Sequence, residues 1–174
     1  MGHHGEGRRR PGGRGLLLRF RRRFVRQGDG TFTVRLDGEE RQLLASLPGS
    51  LASLVESEPE DPWLQRLFPT AYPKDPDREQ EWRLLMSVDL HESRREQLRT
   101  LAETAGATSV TEKELLGWAQ ALNDLRLYLG TRLDLSEETE IEDLAAEDDK
   151  QLYVLYSWLG LLQEETVQAL TETL

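Results

Sequence analysis

Cysteine is absent from the 174 residues, and its absence excludes disulfides, thiol catalysis, iron–sulfur clusters and Cys-ligated zinc. Histidine is nearly absent: His3 and His4 lie among glycines at the start, and His91 is the one imidazole elsewhere. No apolar run approaches the roughly 18 residues that a membrane span needs. Lysine occurs 3 times against 19 arginines, a bias that a GC-rich coding sequence explains as readily as guanidinium chemistry does. What remains is a polar chain of mean hydropathy -0.60 with 37% hydrophobic residues. That is enough for one core, and the chain reads as a soluble, cytoplasmic, single-domain protein.

The net charge of -10 is unevenly spread. Residues 1–26 hold nine arginines and one acid, Glu6, so they carry +8, and the remaining 148 residues carry -18. Such a body repels polyanions, so any nucleic-acid contact must use the N-terminal end. Residues 1–15 contain six of the fourteen glycines and no apolar periodicity, which predicts a disordered basic tail before a domain spanning residues 16–174. Leu16, Leu18, Phe20 and Phe24 then follow near period two, with Arg19, Arg21 and Arg23 opposite them. Alternation resumes from Thr31 to Leu36, so the pattern predicts a β-hairpin turning at Asp29-Gly30.

Helical spacing dominates after Asp37. Asp37 is placed to cap a helix carrying Leu43, Leu44, Leu47, Leu51, Leu54 and Val55, which Pro48-Gly49 should kink or split. Residues 57–76 are proline-rich and anchored by Trp63, Leu64, Leu67, Phe68 and Tyr72. A helix over about residues 77–104 is expected to turn Trp82, Leu85, Met86, Leu90, Leu98 and Leu101 inward. Thr111 to Glu114 forms a capping box ahead of the stripe Leu115, Trp118, Leu122, Leu125, Leu129 and Leu133. After an acidic linker, a last helix over about residues 148–172 is apolar nearly all round between Leu152 and Leu162. It is either the central helix or half of a homodimer interface formed by Tyr153, Trp158 and Leu161. The fold expected is α+β and mainly helical, with an N-terminal β-hairpin packed on a bundle of four or five helices.

No nucleophile with a base, no phosphate loop and no calcium loop can be assembled, so the residues call for no metal or cofactor and do not indicate an enzyme. Asp89 and Glu92 are at the wrong spacing to share a helix face with His91. Two polar sets interrupt apolar helices. Asn123, Asp124, Arg126 and Arg132 form one, with Asn123, Arg126 and Gly130 on a single stripe. Gln163 and Glu164 form the other. They read as a satisfied network at a helix crossing, with Gly130 and Gly160 allowing close approach, or else as a ligand site. Arg19, Arg21, Arg22, Arg23 and Arg26 read either as a phosphate or partner footprint or as cations that pair with the acidic body.

Leu67-Phe68-Pro69-x-Ala71-Tyr72-Pro73, the run from Trp118 through Asn123-Asp124-Leu125-Arg126 to Gly130-Thr131-Arg132-Leu133, and Tyr156-x-Trp158-Leu159-Gly160-x-Leu162-Gln163-Glu164 together resemble an actinobacterial domain-of-unknown-function family. The similarity covers residues 16–172 or so. The family is encoded near the ClpS protease adaptor and includes AosR-type transcriptional regulators of the oxidative-stress response. The resemblance implies a regulatory or interaction protein with protein partners and weak DNA contact. An adaptor linked to Clp proteolysis, or an enzyme with a polar site around Asn123, Arg126 and Glu164, are the alternatives. Thiol sensing is excluded for a chain without cysteine.

Overall fold

The structure, a computed structural model, describes residues 22–57, 61–64, 66–136 and 138–172. The expected tail, Arg19 and Arg21 lie outside the described residues. Strands β1 (Phe24–Arg26) and β2 (Phe32–Val34) form the hairpin, pairing Phe24 with Val34 and Arg26 with Phe32. The turn closes because Gly30 takes φ 84°, open to glycine at little cost, while Asp29 Oδ1 accepts from the Thr31 amide and hydroxyl at 3.0 and 2.7 Å. A third strand, β3 (Ser109–Val110), pairs antiparallel with the other side of β2, giving the order β1-β2-β3.

Four helices carry the rest: α1 (Gly38–Ser57), α2 (Pro76–Thr104), α3 (Glu112–Arg132) and α4 (Glu147–Thr171). The fold is therefore α+β and mainly helical, as the periodicity indicates. Asp37 and Glu40 form a reciprocal cap on α1, through Glu40 N to Asp37 Oδ1 at 2.9 Å and Asp37 N to Glu40 Oε2 at 3.0 Å. With that start fixed, α1 runs through Pro48 instead of splitting, and Pro48 itself is buried. Thr111 and Glu114 make the expected box on α3, whose stripe from Leu115 to Leu133 is buried throughout.

The core gathers α3 between α4 and α2 and reaches the sheet through Trp118, which is fully buried and meets Phe24 edge-on at 5.8 Å. Trp118 Nε1 donates to Thr104 Oγ1 at 2.7 Å. Arg41, on α1, fastens the sheet from behind: its guanidinium donates to the carbonyls of Val34, Leu36, Ala105 and Ala107 at 2.6–3.1 Å. Glu79 pins the proline-rich loop to α2, accepting from the amides of Ala71 and Tyr72 at 2.9 and 2.8 Å and from Arg83. The Tyr72 amide and then the Arg83 guanidinium hold the Glu79 carboxyl below its ordinary range.

Two expectations change. Leu85 is exposed at 69% where an inward position was expected, and Leu84 is exposed beside it. On α4, Leu159 and Leu162 are buried and Leu152 and Leu155 half-buried. Of the face expected for a second subunit, Leu161 is exposed. Tyr153 and Trp158 are half-buried and bonded within the chain, to the Thr139 carbonyl and to Glu40.

Candidate functional site

The crossing of α3 and α4 assembles the polar stripe. Arg126 lies at its centre. Its Nη1 donates to Gln163 Oε1 at 2.8 Å and its Nη2 to the Tyr156 hydroxyl at 3.3 Å, while Cζ stands 4.9 Å from the Tyr156 ring centre. Gln163 Nε2 in turn donates to Asn123 Oδ1 at 3.4 Å. Gly160 makes this packing possible, because a Cβ there would stand 3.2 Å from Arg126 Nε and 3.3 Å from Cζ. At Gly130 a Cβ would stand 3.3 Å from the Tyr156 ring. Both glycines therefore let flat groups lie against a helix backbone. Gly160→Leu is expected to lower stability by about 2 kcal/mol through overpacking against a guanidinium held on two sides. A urea melt with an unchanged midpoint would refute this account of the glycine.

The other members of the polar sets go elsewhere. Asp124 faces away from Arg126 and forms a buried ion pair with Arg94 of α2. Burial pushes the Asp124 carboxyl above its ordinary range, and Arg94 pulls it part of the way back. Arg94 also stands 5.4 Å over the Phe68 ring, and Phe68 stacks on His91 at 4.2 Å. Burial, then Arg94 and Arg95, holds the His91 imidazole below its ordinary range. Arg132 sits over Trp63 at 5.4 Å, outside the seam. Glu164 is exposed and apart from Asn123 and Arg126; its neighbour Glu165 carries the ion pair instead.

Beside Arg126 opens a cleft of about 240 Å³, lined by Arg66, Asn123, Arg126, Ser136 and Tyr156 among others. Sequence reasoning missed Arg66, Arg94 and Tyr156 as site residues. Tyr156 lies one turn from Gly160 and could have been placed by helical spacing. No local pattern connects Arg66 or Arg94 to α3.

The second candidate is the arginine-rich strand. Arg22 pairs with Glu172, Arg23 with Glu40 and Glu165 at 3.1 and 2.7 Å, and Arg26 with Glu112 at 3.1 Å. Every described member of the basic set thus has a carboxylate from the body. Among the described residues, no group of three histidine, aspartate or glutamate side chains is placed to hold a metal ion, and no helix is long and apolar enough to cross a membrane.

The sequence profile of a family described as Domain of unknown function (DUF2017) matches residues 21–170. The chain belongs to this family. Proteins of Mycobacterium bovis and Mycobacterium tuberculosis, each named oxidative stress regulator AosR, are 25% identical to it over 89% of this chain and 88% of their own length. A Mycobacterium leprae protein carrying the same AosR label is 33% identical, across 66% of this chain and 61% of its own length. No solved structure matches the chain. The matched span includes both the α3–α4 seam and the segment from Arg22 to Arg26 that enters β1.

Proposed function

We propose that the chain is a non-enzymatic regulatory protein of the stress response that acts mainly by contact with a protein partner. The observation that carries the mode of action is the engagement of Arg22, Arg23 and Arg26 by Glu172, Glu40, Glu165 and Glu112. Cations flanked by carboxylates are poor phosphate ligands, since the same carboxylates repel the DNA backbone. The regulatory role is supported by the names of the mycobacterial relatives. Contact with DNA falls to the arginines before Arg22, among them Arg19 and Arg21, and is weak and sequence-tolerant.

This pairing also decides how to test the basic segment. Replacing Arg19, Arg21, Arg22, Arg23 and Arg26 together would remove structural ion pairs along with any phosphate contact. Deleting residues 1–21 removes none of the described contacts. At low salt the full chain is expected to bind duplex DNA with a Kd in the non-specific range, about 10⁻⁴–10⁻⁶ M, and the shortened chain to lose that binding. Fluorescence anisotropy across a salt series reads both. Sequence-specific, submicromolar binding at roughly 150 mM salt would replace this reading with direct operator recognition. Co-purification with Clp components from the native host would favour the adaptor reading. A catalytic role for Asn123, Arg126 and Glu164 has less support, because Glu164 stands apart from the other two.

A further inference from the structure

The cleft beside α3 and α4 has a composition at odds with the rest of the body. Residues 27–174 carry -18, yet two arginines, Arg66 and Arg126, line this cleft and no carboxylate lines it among the described residues. Among the described residues, Arg126 hydrogen-bonds neutral partners there, Gln163 and the Tyr156 hydroxyl. Arg22, Arg23, Arg26, Arg83, Arg94, Arg95 and Arg99 each take a carboxylate, whereas Arg126, half-buried in the seam, pairs with neutral groups as Arg41 does with the carbonyls behind the sheet.

We propose that the α3–α4 cleft binds a small oxyanion of the phosphate class, free or as the head of a small monoester, between Arg66 and Arg126. Three features support this. Arg126 is set before any ligand arrives: Gln163 holds one edge, the Tyr156 ring supports its plane and the bare backbone at Gly160 lies behind it. A guanidinium fixed in this way offers its remaining N–H groups at little entropic cost, and its planar fork matches a tetrahedral oxyanion. The Tyr156 hydroxyl, which accepts from Arg126, lines the same space and keeps its own proton to donate. The volume, about 240 Å³, admits a compact ion or monoester and falls below the range of about 300–1,000 Å³ usual for larger ligands. This site is independent of the regulatory reading: it concerns the α3–α4 seam and not the arginine-rich strand, and it can stand or fall without it.

Thermal unfolding of the full chain at constant ionic strength tests the proposal, with inorganic phosphate or glycerol 3-phosphate replacing chloride. A saturable rise in Tm is expected with either phosphate probe and not with chloride. Arg66 is exposed and bears none of the fold's described contacts, so Arg66→Gln should melt like the parent in chloride while its phosphate affinity falls about tenfold, the scale of a lost charged hydrogen bond. Arg126→Lys, which keeps the charge but loses the fork, should weaken phosphate by a similar factor. Saturation by glycerol 3-phosphate as tight as by the free ion assigns the site to monoesters, and a response to inorganic phosphate alone assigns it to the free ion. A Tm unmoved by both probes, or a response retained in full by Arg66→Gln, overturns the proposal even if Arg126→Lys fails to fold.

Discussion

Trp118→Ala is expected to cost about 3–5 kcal/mol of folding free energy, a large share of the roughly 5–15 kcal/mol available to a domain. Trp118 is fully buried in the core that the sheet and the helices share, with Phe24 edge-on against it. Truncation leaves a cavity at that junction. It also removes the donor to Thr104 Oγ1, although that hydroxyl keeps its own bond to the Thr100 carbonyl at 2.6 Å. Trp118→Phe keeps the edge-on contact and loses the indole N–H with part of the volume, so a smaller cost of about 1–2 kcal/mol is expected. Urea unfolding followed by circular dichroism separates the two variants. An alanine variant within 1 kcal/mol of the parent would mean that sheet and helices are held together elsewhere, with Arg41 the first residue to examine.

Arg94→Met is expected to be nearly as damaging at neutral pH, by about 3–5 kcal/mol, because it leaves the buried Asp124 carboxylate without its cation and with the Asn123 side chain as its remaining named partner. The Asp124 side chain is 4% exposed and that of Arg94 is 21%, so water cannot take over the lost partner. The pH dependence has a definite sign. Burial already raises Asp124 above its ordinary value of 3.8, and losing Arg94 raises it further. A raised folded value means that the unfolded chain gives up the proton first as pH climbs, so the fold loses stability above 3.8 and through the raised value. The deficit of the variant against the parent should therefore grow from pH 5 to pH 7. His91 works in the same direction. Arg94 helps hold its imidazole below 6.5, which costs the parent stability as pH falls through that value, and the variant is partly relieved of it. Denaturation at both pH values measures the change, and a deficit independent of pH would assign the damage to lost packing on Phe68. The double variant Arg94→Met/Asp124→Leu should recover most of the loss.

These two residues mark the boundary of what could be read before folding. Trp118 belongs to a period that announces itself: a capping box at Thr111 followed by apolar residues every three or four positions leaves one buried stripe available. The hairpin and the cap at Asp37 are legible for the same reason, since each is settled within a few residues. Leu85 shows where this fails. It lies thirteen residues before Leu98, which on a helix is a rotation of about 220°, so the two cannot face one core. Their common hydrophobicity concealed this. Strand β3 is two residues long and finds its partner on β2, more than seventy residues earlier, and no periodicity exists at that length. In the seam, Asn123, Arg126 and Gly130 could be grouped by spacing. Which of Gln163, Glu164 and Glu165 turns inward depends on the rotation of α4 against α3, a tertiary choice. Arg94 and Asp124 meet from different helices, a pairing that composition cannot indicate.

The ion pairs of Arg22 and Arg23, just before β1, join the two ends of the described chain, and this has a bearing on the order of events during synthesis. Arg22 and Arg23 leave the ribosome some 140 residues ahead of Glu165 and Glu172. At about 5–20 residues per second, that interval lasts on the order of 7–30 s. Glu40 reaches Arg23 early, but Glu165 of α4 follows that arginine 142 residues later. For that time the basic segment is a cation cluster without its full set of counter-charges, beside a ribosome whose surface is rich in phosphate. Helix α4 therefore acts as an internal counterion delivered late, and Arg22 and Arg23 cannot close onto it until Glu165 and Glu172 have left the ribosome.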